Sequence, residues 1–508
     1  MFVLALALVL GGCSSDGEAA RGPDATASGT GGAAGTSSGV GGEGGNAPLD
    51  FPMGIGGGPG GAGGAEGVTI SDDYVSDVEV AVLDFARTIL EVTWTQTLPA
   101  DETWVEFTFE EGNVLASPPR NGETGAHREV VLGVPAETEV VIRIVSSDGG
   151  QAFATSNHMG RTGAVPSSMP TPEVLSYDPA LASPDRWLFG SVEDSVGGVA
   201  STDAYYRSVF WLYIMDRRGR IVWYYADPAS NATSSFQRIA RDGQYIWIEK
   251  KQFNSPTVQE ALKVTLDGSF MEAIPLPGFR DCIEVTDDGS VLYDAGFELR
   301  EMSRDGEIRA IWNCEEHYGD DFNCYTNTIN WNPDEDTVVL SFPYEATVVE
   351  IDRQTGALLR QYGDAPGSWA FSPEIWRFEY QHFANVTPEG TLLVSSHMPG
   401  YSDTRAPVAG QHAFMEFERD FETETLEYKW HYQEGDEWAM FKGMAIRLPN
   451  GNTLANYGTG GVIREITPDN ETAFHVKFDV EDGNDFFNKM VGHNVLIDDL
   501  YALNGGPE

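Results

Sequence analysis

The chain has 508 residues, in which 78 aspartates and glutamates face 31 lysines and arginines, giving a formal net charge of −47. A chain of this length can bury a sizeable core and form more than one domain. Its negative field repels nucleic-acid phosphates and anionic membrane surfaces, so nucleic acid is excluded as a partner. We interpret the charge as a solvated acidic surface that keeps the protein soluble. Calcium binding by acidic turns is the alternative interpretation, but no run has the spacing of an EF-hand loop.

The first residues are typical of a bacterial lipoprotein signal. Residues 2–10 are apolar and are followed by two glycines, Cys13 and Ser14, although only Met1 precedes them where a signal normally carries a basic residue. The apolar run is too short to span a bilayer. We predict that residues 1–13 are the signal and that Cys13 is lipidated, with a chance apolar start as the alternative.

The residue after that cysteine predicts the location of the protein. Serine in this position, in place of aspartate, is typical of sorting to the outer membrane, so we expect a lipid-anchored protein at its periplasmic face or at the cell surface. The lipid would be the only membrane attachment. Residues 14–67 are dominated by Gly, Ala and Ser and cannot bury enough apolar surface to fold, which predicts a flexible tether.

Residues 68–165 contain short alternating runs such as LEVTWTQT, TWVEFTFEEG and EVVIRIVSSDG. A spacing of 8–12 residues without helical periodicity predicts a small β-sandwich similar to fibronectin type III. Several prolines between residues 166 and 172 mark the end of this domain.

Residues 172–508 repeat a strand–turn–strand phrase. The clearest copy, RLPNGNTLANYGTGGVIREITPDNETAFHVKF, turns at Asn450-Gly451 and Asp469-Asn470, and looser copies occur upstream. Six such units predict a six-bladed β-propeller, so the whole chain is predicted to be all-β. The final run VLIDDLYALNG has no hairpin partner and is expected to complete the first blade and close the ring.

Two of the four cysteines are expected to form a disulfide. Cys314 and Cys324 are ten positions apart across a polar loop, a spacing that suits a bridge in an oxidising compartment. The alternative is a metal site, but no CxxC or paired-histidine spacing accompanies them. Cys282 is then expected to be an unbridged, buried residue.

Three phrases in the repeat region share a family pattern. RLPNGNTL begins at Arg447, TNTINWNPDEDTVVLS contains Asn327, and Gln381-His382 precedes TPEGTLLV. These phrases resemble the "R-L-P-N-G-N-T-L", "H-x-N-S" and "Q-H … P-x-G-x-L" motifs of the bacterial arylsulfate sulfotransferases. The resemblance covers roughly residues 180–505 and implies a β-sandwich followed by a six-bladed propeller.

The resemblance also implies a chemistry. In that family a channel histidine takes the sulfuryl group of an aryl sulfate and passes it to a phenolic acceptor, while cationic side chains hold the sulfate oxygens. His382 matches the nucleophile, and Asn327 matches the asparagine of the second motif. The chain departs from the family where Tyr325 replaces a histidine, where Tyr344 follows Ser341 without the expected arginine, and where Arg280-Asp281-Cys282 replaces paired histidines.

The predicted site has the catalytic residue His382 and five substrate-binding residues, which are Arg280, Tyr325, Asn327, Tyr344 and Lys442. Of these, Arg280 and Lys442 are expected to supply cations in the same channel, although no family motif contains them. Each also has a structural interpretation: a hydrogen-bonded histidine, packing aromatics, or a surface cation. His412 and His397 flank the polar segment 399–410, which is expected to cover a binding site.

Two hypotheses remain at this stage. One is a sulfotransferase acting on phenolic compounds and aryl sulfates without a metal or other cofactor. The other is a non-catalytic propeller lipoprotein that binds a ligand or a protein partner at the cell surface. No HExxH, GxSxG or P-loop pattern supports another chemistry, and the sequence predicts no oligomeric state.

Overall fold

A computed structural model describes residues 68–111, 113–196, 210–226, 237–239, 243–251, 259–398, 411–433, 439, 442–478 and 489–505. The predicted lipidation site Cys13, the tether and the segment 399–410 lie outside these residues. The described part is nearly all β, which confirms the predicted all-β class. None of its helices is long and apolar enough to cross a membrane.

The first ten strands belong to the N-terminal region, and they are β1 (Thr69–Ile70), β2 (Val75–Val82), β3 (Leu90–Gln96), β4 (Ala100–Glu110), β5 (Asn113–Ala116), β6 (Arg120–Gly122), β7 (Gly125–Val131), β8 (Glu139–Asp148), β9 (Gln151–Ala154) and β10 (His158–Arg161). They form a three-stranded sheet, β2-β3-β7, and a seven-stranded sheet with the order β1-β9-β8-β4-β5, in which β6 pairs with β4 and β10 with β8. Strand β3 alternates between buried and half-buried residues, as one face of a sheet requires. A shared core that includes Val92, Trp94, Phe107 and Ile142 joins the two sheets.

The first half of the following region contains β11 (Glu173–Tyr177), β12 (Trp187–Val196), β13 (Phe210–Asp216), β14 (Ile221–Tyr225), β15 (Gln237–Ile239), β16 (Ile246–Lys251), β17 (Gln259–Val264), β18 (Met271–Pro275), β19 (Ile283–Val285), β20 (Val291–Ala295), β21 (Glu298–Met302), β22 (Ile308–Asn313) and one α-helix, α1 (Cys314–Tyr318).

The second half contains β23 (Thr328–Asn332), β24 (Thr337–Phe342), β25 (Thr347–Asp352), β26 (Leu358–Gly363), β27 (Ala370–Ser372), β28 (Phe383–Val386), β29 (Leu392–Met398), β30 (Gln411–Asp420), β31 (Thr425–Tyr432), β32 (Met444–Arg447), β33 (Thr453–Asn456), β34 (Val462–Ile466), β35 (Thr472–Lys477) and β36 (Lys489–Ile497). Short 3-10 turns occupy Pro343–Glu345, Glu374–Trp376, Gly458–Gly460 and Ala502–Asn504.

These strands form six sheets. Written from the inner to the outer strand, sheet I is β36-β12-β13-β14, sheet II is β15 to β18, sheet III is β19 to β22 and sheet IV is β23 to β26. Sheet V is β28-β29-β30-β31-β27 and sheet VI is β32-β33-β34-β35-β11. The last strand thus joins the first sheet, as the sequence predicts, whereas the pairing of β11 with sheet VI was not predicted.

The hydrophobic core lies between successive sheets. Sheet I packs on sheet II, II on III, III on IV, IV on V, V on VI, and VI back on I. The last of these contacts, which joins Tyr213 and Trp211 of sheet I to Ile463 and Phe474 of sheet VI, closes the circle. The six sheets therefore form a closed, propeller-like ring.

The N-terminal sheets pack against sheets I and II of the ring. Ile89 and Leu132 share a core cluster with Trp223 and Leu266 of the ring. A side chain at Gly268 would meet the ring of Phe85 at 2.5 Å, so glycine is required for this approach. The two regions are thus joined by a tightly packed apolar contact.

The predicted disulfide is present between Cys314 and Cys324, with a Cα–Cα distance of 5.8 Å. Helix α1, which the sequence did not predict, begins at Cys314 and is capped by the side chain of Asn313. Cys282 lies outside the bridge and is buried, as expected, in the core cluster that also contains both bridged cysteines.

Candidate functional site

The centre of the ring is occupied by one arginine side chain. Arg238 on β15 donates from Nε to the carbonyl of Ile283 at 3.1 Å and from Nη2 to that of Ile329 at 3.0 Å. Its Nη1 donates to Nε2 of His493 at 2.9 Å, and its guanidinium lies 5.9 Å from the ring centre of Phe383. These partners stand on the inner strands of sheets III, IV, I and V. Arg238 therefore joins five of the six sheets near the axis.

Burial, and secondly the charge of Arg238, holds the pKa of His493 well below its usual range. The His493 imidazole is thus neutral, and its Nε2 accepts a hydrogen bond from Arg238 because the guanidinium can only donate. The sequence contained no signal for Arg238. This arrangement is a buried support of the ring and leaves the end of the ring as the accessible place for a ligand.

Several predicted residues lie at the end of the ring where β19, β23 and β28 begin. The guanidinium of Arg280 stacks on the ring of Tyr325 at 5.2 Å, and the Tyr325 and Tyr344 ring centres are 5.8 Å apart. The hydroxyl of Tyr325 donates to Asp281 at 2.7 Å. We call Arg280, Asp281, Tyr325, Tyr344 and Tyr380 the entry cluster.

The electrostatics of the entry cluster are mixed. Burial raises the pKa of Tyr325 well above its usual range, and the nearby charge of Asp281 raises it further. Arg280 is exposed, and no described carboxylate lies within ion-pair distance of it. In so acidic a protein, an exposed and unneutralised guanidinium is a natural contact for an anionic ligand.

Tyr380 is the cluster member that the sequence did not suggest. It has a left-handed φ of 45° and is 40% exposed, while Tyr344 is 38% exposed. Burial, and secondly the side chain of Tyr380, raises the pKa of Tyr344. A left-handed tyrosine has no marker in the sequence, because the strain appears only in the backbone.

His382 directly precedes β28 and is held by a backbone hydrogen bond to β29. Its N–H donates to the carbonyl of Ser395 at 3.0 Å, its side chain is half-buried, and its Nδ1 atom is enclosed by the protein. Next to it, the carbonyl of Gln381 accepts from Nδ2 of Asn327 at 2.9 Å. Asn327 is buried, so this predicted binding residue tethers sheet IV to the segment before β28.

The predicted cation Lys442 stands two residues before β32, the inner strand of sheet VI. Lys442 is buried, has a left-handed φ of 64°, and places Nζ 5.1 Å from the ring centre of Phe210. The next residue, Gly443, packs against a buried pair in which Nε2 of His412 lies 2.8 Å from Oγ of Ser395. The described contact of Lys442 is thus with Phe210, which is not a member of the entry cluster.

The structure connects most of the predicted site residues. Arg280 and Tyr344 each contact Tyr325, and Asn327 links this part of the ring to the segment that carries His382. Within the part of the chain that the structure describes, no group of three His, Cys, Asp or Glu side chains could hold a metal ion. The arrangement offers an aromatic and cationic surface beside a histidine.

Comparisons with known proteins add little to this geometry. No protein-family model matches the chain, and no curated protein matches it. The resemblance to arylsulfate sulfotransferases therefore rests on the sequence phrases alone.

Solved structures with distant likeness include a virginiamycin B lyase from Staphylococcus aureus, 11% identical over 65% of this chain and 100% of that one, with a TM-score of 0.36. The calcium-binding protein regucalcin from Agrobacterium tumefaciens is 10% identical over 48% and 73%, with a TM-score of 0.32. Hsv2 from Kluyveromyces lactis is 9% identical over 72% and 95%, with a TM-score of 0.31. These likenesses are too distant to indicate a shared activity.

Proposed function

We propose that this protein is a lipid-anchored, six-bladed β-propeller with a fibronectin III-like sandwich, and that it binds aryl sulfates at the entry end of the ring. The observation that carries this proposal is the exposed Arg280 guanidinium stacked on Tyr325, beside the exposed ring of Tyr344. A sulfate group would pair with the guanidinium, and the aryl ring would pack on the tyrosines.

The chemistry that we propose for this site is sulfuryl transfer through His382. A ring nitrogen of His382 would be the attacking atom. An N–S bond would form as the aryl O–S bond breaks, releasing a phenolate, and a phenolic acceptor would then take the sulfuryl group and restore the histidine. Arg280 would stabilise the negative charge of the transferring group.

The test is a transfer assay on the purified protein with 4-nitrophenyl sulfate as donor and phenol as acceptor. We expect release of 4-nitrophenol that depends on the acceptor, and loss of this activity on the order of 10³-fold or more in His382→Ala. Arg280→Ala should lower it by tenfold to a hundredfold, as an order of magnitude. Arg304→Ala, on a turn at the opposite end of sheet III, is the control and should leave the transfer activity unchanged. Full activity in His382→Ala would reject the assigned nucleophile.

A second function, ligand binding without chemistry, is favoured by a different observation. Asp281 accepts the hydroxyl of Tyr325 beside Arg280 and would repel a sulfate, and the Asn327 side chain is engaged with the Gln381 carbonyl. Binding of 4-nitrophenyl sulfate with no transfer to any of several phenols would support this alternative.

A further inference from the structure

Tyr380 connects the cationic part of the entry cluster to the predicted nucleophile. Along the chain it stands two positions before His382, and the side chain of the next residue, Gln381, is hydrogen-bonded to the turn that carries Tyr344, whose ring packs on Tyr325. The segment of Tyr380 therefore links the group that would hold an anion to the group that would attack it.

The position of Tyr380 is fixed by its neighbour Gln381. The Gln381 side chain is fully buried and donates from Nε2 to the carbonyl of Phe342 at 3.1 Å and to that of Thr347 at 3.0 Å. These two carbonyls bracket the turn that carries Tyr344. The amide thus ties the segment of Tyr380 directly to the turn of Tyr344.

The backbone at Tyr380 also indicates a role for its side chain. Its φ of 45° is a conformation that glycine adopts readily and that a large aromatic residue adopts only under strain. The ring remains 40% exposed, so burial in a core does not offset this strain. A tyrosine in this place has a cost that packing does not explain, which is typical of a residue kept for binding.

We propose that Tyr380 is a specificity-determining residue that, with Tyr344, selects an aromatic ring on the anion held by Arg280. The inference rests on the proposed function and deepens it by naming the part of the ligand that is recognised. The ligand class is an aryl anion whose ring packs on the two exposed tyrosines while its charged group meets the guanidinium. An alkyl sulfate, which has the charge but no ring, would gain nothing from Tyr380.

The test compares the binding of 4-nitrophenyl sulfate and methyl sulfate to the full chain by titration calorimetry. Tyr380→Gly removes the ring and fits the left-handed backbone. We expect it to weaken binding of 4-nitrophenyl sulfate by about tenfold or more while leaving methyl sulfate unchanged. Tyr380→Phe should retain most of the affinity for the aryl sulfate.

The matched control is Glu424→Gly, which relaxes another exposed left-handed residue, with a φ of 53°, away from the site. It should change neither affinity. Unchanged binding of 4-nitrophenyl sulfate in Tyr380→Gly would overturn the inference and leave the proposed function standing, as would an equal loss of both ligands. Absence of binding of either sulfate to the unmutated protein would overturn both.

Discussion

Arg238 and His493 show how single residues stabilise the ring. The guanidinium is satisfied by backbone carbonyls of two other sheets and by a neutral imidazole. A buried arginine with several good acceptors is tolerated, but removal of a partner leaves polar groups unsatisfied. The pair therefore makes the stability of the ring depend on the protonation of one histidine.

We predict that stability falls as pH drops below the ordinary histidine range. Because the pKa of His493 is lowered in the folded state, the unfolded chain binds its proton first, so unfolding becomes easier from about pH 6.5 downward. The slope from this group is at most about 1.4 kcal/mol per pH unit. Urea unfolding at pH 7.0 and 5.5 measures the change in the free energy of unfolding between the two pH values.

His493→Gln should reduce this pH dependence, because glutamine can accept from Arg238 but does not titrate. His158→Gln, in a half-exposed strand of the N-terminal region, is the control and should retain it. An unchanged pH dependence in His493→Gln would contradict the assignment.

Gly443 permits the close packing beside His382. A Cβ atom there would lie 2.6 Å from Cε1 of His412 and 2.9 Å from Oγ of Ser395, and the φ is +102°. We expect Gly443→Ala to lower the free energy of unfolding by roughly 2 to 4 kcal/mol. Gly296 also has a positive φ, but nothing lies within 4 Å of a new Cβ atom there. Gly296→Ala therefore tests the backbone strain alone and should lower the free energy of unfolding by only about 1 kcal/mol. Equal costs in urea unfolding would show that the contacts with His412 and Ser395 do not matter.

At the scale of elements, buried ion pairs join neighbouring sheets. A glutamate on the third strand of one sheet meets an arginine of the next sheet in four places, which are Glu301–Arg353, Glu350–Arg419, Glu416–Arg447 and Glu465–Arg217. The carboxylates are buried, so each pair combines alignment of two sheets with a large desolvation cost.

We predict that Arg419→Met will lower the free energy of unfolding by about 1 to 3 kcal/mol, because buried Glu350 keeps its ion pair with Arg360 but loses the arginine that joins it to the next sheet. The double variant Glu350→Leu/Arg419→Met should recover much of this loss. Glu139→Gln, in the exposed pair with Arg161 at 3.8 Å, should change stability by less than about 1 kcal/mol. A loss in Arg419→Met as small as that of the exposed control would contradict the prediction.

At the scale of the whole molecule, the first and last strands of the ring region join its two ends in sequence: the last strand belongs to the first sheet and the first strand to the last sheet. Strand β36 is the inner strand of sheet I and β11 is the outer strand of sheet VI, so neither sheet is complete without a segment from the other end. An arrangement of this kind leaves only short, protected strand edges.

Deletion of residues 489–508 should therefore abolish the cooperative thermal transition, because it removes β36 together with His493. Deletion of residues 506–508 alone is the control and should leave the transition in place. Thermal unfolding followed by circular dichroism distinguishes the two. A truncated protein that lacks β36 and still melts cooperatively at the original temperature would contradict this role.

Much of the fold was predictable because it follows from local signals. The turns at Gly451 and Asn470 have the positive φ that their sequences predict, and the β-branched and apolar runs between them form strands that are buried along their whole length. The Arg238 contacts were not predictable, because their acceptors are backbone carbonyls from sheets distant in sequence. Tyr380 was missed for a similar reason, since its backbone conformation depends on contacts of Gln381 with another sheet.

We propose that His382 takes a sulfuryl group from an aryl sulfate, and a rapid-mixing experiment with 4-nitrophenyl sulfate in the absence of an acceptor tests this step most directly. We predict a burst of 4-nitrophenol approaching one molecule per chain in the unmutated protein and none in His382→Ala. A burst of equal size in His382→Ala, or no burst and no turnover in the unmutated protein, would contradict it.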